Sequence, residues 1–236
     1  MSNMKRIIYV LISGLVLLGP VSCKKDDPAP AATLPTTPEA LATEDTKSGG
    51  VYKGVIIGSS GIFKLTLQNG VKEFVITIDG VKKTLTTSDL GSWTSGQEIS
   101  NATFSGDGWS VVVSIVADGS DGSMTFTVPG HPNISAQILK ETSTALVKGY
   151  EGTFAGASSG TFNFLEYNNL VVGIAREASS STVDYFYGQM SGTNVTLTFP
   201  NSSVSATGTI SDTTCSGAWT NTDTNDTGTW TGKRTL

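Results

Sequence analysis

The chain is poor in the residues that most chemistry needs. Histidine occurs once, at His131, and cysteine twice, at Cys23 and Cys215, with no CxxC pair. Zinc sites of the usual ligand types therefore cannot be assembled, and neither a metal nor a cofactor is expected. Lys and Arg number 15 against 20 Asp and Glu, giving a formal charge of −5, and no basic stripe is present. Phosphate backbones are held by clustered Lys and Arg, so no nucleic-acid partner is expected. His131 lies between Gly130 and Pro132 in a turn-like stretch, and no serine sits in a G-x-S-x-G setting. The acids Asp79, Asp107, Asp118, Asp121 and Asp212 fall in turns or at strand ends. A glycoside hydrolase built on paired carboxylates is thus only a distant alternative to a non-enzymatic protein.

Long apolar stretches at helical spacing are also missing after residue 50. Gly, Ser and Thr are abundant there, and Val, Ile, Phe and Tyr recur in short runs. This composition favours strands joined by tight turns, and residues 50–236 are enough to bury a core of their own.

The amino terminus is different. Lys5 and Arg6 precede the apolar run Ile7–Leu18, broken only by Ser13 and Gly14. A basic start, an apolar core of about a dozen residues and small residues before a break form a secretory signal. Loss of residues 1–22 would take the net charge to −7, because Lys5 and Arg6 leave with no acid. An uncleaved anchor helix is the alternative, although the run is short of the roughly 20 residues needed to span a bilayer. Val21-Ser22-Cys23 resembles the lipobox of bacterial lipoproteins, with Pro20 departing from the usual leucine. The resemblance implies cleavage between Ser22 and Cys23 and acylation of Cys23, several chains together giving a firm anchor. A Cys23–Cys215 disulfide would instead require the signal to be retained. Lys24-Lys25-Asp26-Asp27 resembles the charged patch of surface lipoproteins of the Bacteroidota, which implies export to the outer leaflet of the outer membrane. A solvated linker start, with the protein facing the periplasm, is the other reading. Residues 23–49, rich in Pro, Ala and Thr, read as a semi-extended tether.

The remainder repeats itself. Tyr52, Gly54 and Gly58 correspond to Tyr150, Gly152 and Gly156, Ser59-Ser60-Gly61 to Ser158-Ser159-Gly160, and Phe63 to Phe162. A period of nearly one hundred residues implies two units, residues 50–147 and 148–236, each close to complete. Turn signals cut each into about eight short strands. The expected spans are 51–58, 61–68, 72–79, 82–87, 100–105, 109–117, 122–128 and 133–140, then 149–156, 160–167, 170–177, 182–190, 194–199, 204–210, 214–221 and 227–234. The fold class expected is all-β, two tandem antiparallel meanders forming small barrels or sandwiches. Cys215, Gly217 and Trp219 share one face, as do Gly228, Trp230 and Gly232, which suggests strands bending tightly around large rings. Strands of six to nine residues argue against one 16-stranded membrane barrel. The opening glycine–aromatic strand and the final strand with Arg234 resemble calycin (lipocalin-like) barrels. That resemblance implies Tyr150 or Phe154 packing under Arg234.

Asp223-Thr224-Asn225-Asp226-Thr227-Gly228 begins like a calcium loop, but Arg234 stands where the bidentate glutamate belongs, so a hairpin turn is expected. Cys215 reads as a small buried side chain. The aromatics Trp93, Trp109, Tyr185, Tyr187, Trp219 and Trp230 are the candidate ligand contacts, as a pocket or a stacking platform, against a core role. Trp93, in a loop, is the one expected to be exposed. The functional expectation is a non-enzymatic, lipid-anchored envelope protein binding a glycan, a small apolar molecule or a protein. A structural spacer without a ligand is the rival.

Overall fold

A computed structural model describes residues 33–236, so the signal peptide, Ser22, Cys23 and the patch Lys24–Asp27 lie outside the described residues. The first unit comprises β1 (Gly50–Ile57), β2 (Gly61–Leu67), β3 (Glu73–Ile78), β4 (Val81–Thr86), β5 (Ile99–Gly106), β6 (Trp109–Ile115), β7 (Gly122–Thr127) and β8 (Ser135–Glu141). The second comprises β9 (Lys148–Gly156), β10 (Gly160–Tyr167), β11 (Leu170–Glu177), β12 (Asp184–Ser191), β13 (Asn194–Thr198), β14 (Val204–Ile210), β15 (Thr214–Asn221) and β16 (Asp226–Arg234). All sixteen begin within two residues of the expected positions, because Gly, Asn and Asp punctuate the chain wherever it turns. The protein is all-β, two antiparallel meanders of eight strands.

The two sheets close differently. In the second, β9 pairs with both β10 and β16, so the barrel is complete and has no edge. In the first the order runs β7-β6-β5-β4-β3-β2-β1-β8, leaving β7 and β8 unpaired with one another. Lys140 shares the inward face of β8, opposite Tyr52. Its Nζ lies 5.7 Å from the Tyr52 ring and donates to the carbonyls of Glu44 and Lys47.

Equivalent residues do equivalent jobs in the two sheets. Gly54 stands opposite Phe63, and Gly152 opposite Phe162. A Cβ on Gly54 would come within 1.9 Å of the Phe63 ring, and one on Gly152 within 2.4 Å of the Phe162 ring, so each ring lies on bare backbone. The phenols of Tyr52 and Tyr150 each donate to a backbone carbonyl, Ser48 at 3.0 Å and Ser211 at 2.7 Å. Burial pushes both phenols above their ordinary range and keeps them as neutral donors. Arg234 stands opposite Tyr150 in the β9–β16 register and is buried.

The sheets pack through one apolar seam. Outward-facing Val55 and Ile57 of β1 meet Leu165 of β10 and Ile174 of β11, with Val147 of the connecting segment among them. All five are 0% exposed, which is why β1 is buried on both faces. Asn163 donates from β10 to the Ile56 carbonyl, and Arg176 to the Asn133 carbonyl at 3.3 Å. Leu34–Leu236 is accordingly one compact unit.

The reading of residues 23–49 as a semi-extended tether is corrected over its last part. From Pro35 to Gly49 the chain is a strap fastened to the fold. The Pro35 carbonyl accepts from Arg234 at 2.5 Å, and the Glu39 carboxylate meets Lys53 at 3.1 Å and Lys64 at 2.8 Å. Asp45 accepts from the backbone and hydroxyl of Ser143 at 2.8 and 2.7 Å, and Ser48 is fully buried. Composition alone misses this because the partners lie far off in sequence. Beneath the strap, Glu141 and Lys53 are both 0% exposed and joined at 2.6 Å. The other donors to Glu141 are the backbone N–H groups of Glu39, at 2.5 Å, and Val147, at 2.9 Å.

Candidate functional site

Whether a barrel holds a ligand depends on what fills its middle. In the first unit the inward positions carry bulky side chains on nearly every strand: Phe63, Leu65, Phe74, Ile76, Phe104 and Val113 are at most 1% exposed. Phe63 stacks on Phe74 with ring centroids 5.1 Å apart, and Phe126 tilts against Phe63 and meets Phe74 edge-on. That interior is a packed core, and a separate cleft of about 210 Å³ lies at the unclosed β7–β8 margin, lined by residues 119–122 and 136–140 and by Tyr52.

The second unit alternates large rings with glycine around its circumference. Trp230 stands opposite Gly217, and Trp219 opposite Gly228. Cβ atoms on those glycines would lie 2.6 Å from the Trp230 ring and 2.3 Å from Trp219 Nε1, so the indoles lie flat on the wall. The indole N–H groups are spent on the wall too, donating to Ala155 and Ala218 carbonyls, each at 3.3 Å. Rings laid against the wall leave the centre of that half empty. The result is a cavity of about 360 Å³, within the roughly 300–1,000 Å³ of small-molecule sites. Phe154, Phe162, Phe186, Phe199, Trp219 and Trp230 form its aromatic lining. Below it the barrel is plugged: Tyr150 stacks on Phe164 at 4.8 Å, and Val171, Ile210 and Cys215 fill the remainder.

The cavity opens at the barrel end formed by the β9–β10, β11–β12, β13–β14 and β15–β16 turns, where Ser158, Ser202, Asn221, Glu177, Asp184 and Asp226 join the lining. Burial at this mouth, and then the nearby Glu177, raise the Asp184 carboxyl above its ordinary range.

The six aromatics singled out by sequence do not converge. Trp219 and Trp230 line the cavity, 8% and 4% exposed. Tyr185 and Tyr187, each 54% exposed, flank the inward Phe186 and so face outward on β12. Trp109 belongs to the first unit and packs against its core. The expectation of an exposed Trp93 is corrected: the ring is half-buried against the same core, with Lys72 over its face at 5.8 Å and its N–H donated to Gln97. Phe162, Phe186, Phe199 and the mouth acids were not among the candidates. Period-two alternation counted outward from Trp219 and Trp230 across the paired strands reaches each of them.

His131 bridges turns rather than priming a nucleophile. Its Nδ1 lies 2.5 Å from Ser59 Oγ and 3.9 Å from Asp79 Oδ2. A general base needs hydroxyl and carboxylate on opposite ring nitrogens, and here both face the same one. Cys215 is buried against Gly232, and burial pushes its thiol up to about 12. Among the described residues no cluster of three His, Cys, Asp or Glu is arranged to hold a metal. The chain matches no protein-family model and no curated protein sequence.

Proposed function

We propose that this protein is a non-enzymatic, lipid-anchored envelope protein whose second barrel takes up a small, largely apolar molecule. One observation carries the binding half: two sheets with matching opening strands differ in that the middle of the unclosed one is filled by its core side chains, whereas the closed barrel keeps an open aromatic-walled cavity. A glycan held on exposed rings has less support, because Tyr185 and Tyr187 stand apart from the cavity and Trp93 is covered. The first barrel fits the spacer role: it packs against the second through β1 and holds the strap. The anchor half rests on the lipobox-like Val21-Ser22-Cys23, and the outward orientation on Lys24-Lys25-Asp26-Asp27. Facing the cell exterior from the outer membrane is the orientation this patch favours; the periplasm is the other.

Binding is tested with the neutral probe N-phenyl-1-naphthylamine, read by its fluorescence and by energy transfer from Trp219 and Trp230. Saturable one-to-one binding is expected, abolished by Ala206→Phe, which fills the cavity from β14. Absence of saturation, or binding indifferent to that substitution, overturns the reading. Labelled palmitate separates out the anchor: incorporation into the parent but not into Cys23→Ser is expected, and equal labelling of both removes the claim.

A further inference from the structure

We infer that the molecule held by the second barrel is an organic cation, its apolar body between the indole and phenyl rings and its ammonium or amidinium group at the mouth. This rests on the reading of that barrel as a binding cavity and adds the sign of the ligand's charge. The strand alternation sets that sign. On β11 the inward row runs through Ala175 to Glu177, on β12 from Phe186 to Asp184, and on β16 from Trp230 through Gly228 to Asp226. Three inward positions at the rim therefore carry carboxylates, two on the paired strands β11 and β12 and the third across the mouth on β16. Arg176 borders the same opening, but it alternates with Ala175 and Glu177 and so faces outward. Its guanidinium donates to the Asn133 carbonyl of the first unit. Among the described residues no ion pair neutralises Glu177, Asp184 or Asp226; Asp226 accepts from the neutral Thr224 hydroxyl at 2.7 Å, and the other polar lining residues near the opening, Ser158, Ser202 and Asn221, are neutral as well.

An apolar pocket beneath such a rim discriminates strongly. A fatty-acid-like anion would bring a fourth negative charge to a place where Glu177 and Asp184 already oppose one another. A neutral molecule would leave that repulsion standing. A cation relieves it while also meeting the electron-rich faces of aromatic rings, tryptophan being the strongest of these.

Three compounds of one shape provide the test: 2-(2-naphthyl)ethylammonium, 2-(2-naphthyl)ethanol and 2-naphthylacetate, titrated calorimetrically into the full chain at pH 7. The ammonium should bind about tenfold more tightly than the alcohol, the combined size of a rim ion pair and a cation–ring contact, with the acetate weakest. Raising salt should narrow that gap, and the Glu177→Gln/Asp184→Asn variant should reduce it. Equal affinities, a preference for the acetate, or a preference for the ammonium that the double substitution leaves undiminished would overturn the charge assignment while leaving the cavity a binding site. Failure of all three compounds to bind would overturn the cavity reading, and this inference with it.

Discussion

Glu141→Gln is the substitution that most directly probes how the strap is held. The glutamine keeps the shape and removes the charge at a site where three donors converge: the Lys53 ammonium and the backbone N–H groups of Glu39 and Val147. Its amide brings two further donors into that set, so at least one existing donor is left facing another. Lys53, 0% exposed, would keep the half-exposed Glu39 carboxylate at 3.1 Å and the Val147 carbonyl at 3.5 Å. Breaking a buried ion pair costs about 3–5 kcal/mol, and the surviving half-exposed partner returns about 1 kcal/mol at most. A net loss of about 2–5 kcal/mol is expected, lowering Tm by about 4–20 °C for a chain of this size. Glu39→Gln, at the solvent-facing end of the cluster, should cost about 1 kcal/mol or less. Thermal and urea unfolding followed by circular dichroism measures both. A second variant isolates the charge: Lys53→Met/Glu141→Gln removes the stranded ammonium and should be more stable than Glu141→Gln alone. If Glu141→Gln costs under about 1 kcal/mol, or if the double variant loses the sum of the two single losses, the account of coupled buried charges is wrong.

Three further outcomes follow from other parts of the fold. Burial works against the Glu39 charge, but Lys64 and Lys53 outweigh it and hold the carboxyl below its ordinary value of 4.5. A depressed folded value means stability present above pH 4.5 and lost as the pH falls through the folded value, so Tm should decline on acidification and Glu39→Gln should lessen the decline; superimposable pH profiles would refute this. With Cys23 changed to serine, the Cys215 thiol, pushed up to about 12, should resist Ellman's reagent at pH 8 until the chain unfolds, and prompt stoichiometric reaction would contradict its burial. Ile174→Ala, in the seam between the sheets, should cost about 2–4 kcal/mol and speed amide exchange in β1 and β8 as well as in β10 and β11; acceleration confined to the second barrel would mean the sheets are not coupled there.

The strands were legible because glycine, asparagine and aspartate mark nearly every reversal, several at positive φ, as at Asn69, Asp79, Asp107 and Asn225. The pairing of glycine with a ring was legible too, in Gly217 with Trp230 and Gly228 with Trp219. Whether those rings fill a barrel or coat it was not. That depends on which residues meet across the centre, and alternation along a single strand carries no information about the opposite wall. Trp93 illustrates a second limit: a loop position suggests exposure, yet Lys72 and the first core cover the ring. The strap was hidden for a third reason. Glu39, Asp45 and Pro35 look like residues of a solvated linker because their partners Lys53, Ser143 and Arg234 are supplied by the folded body.

The strap also decides how the protein meets mechanical force. Arg234, two residues from the end of the chain, grips the Pro35 carbonyl, so the folded body is entered where its final strand finishes. Tension applied ahead of Leu34 therefore meets this contact first, then the ion pairs of Glu39, then the Asp45–Ser143 bonds, before it can reach β1. β1 lies between β2 and β8 and is buried on both faces, so it cannot be peeled from a free margin. A tug would spend itself on side-chain contacts that can re-form once it ends, while the barrel that holds the cavity kept its shape.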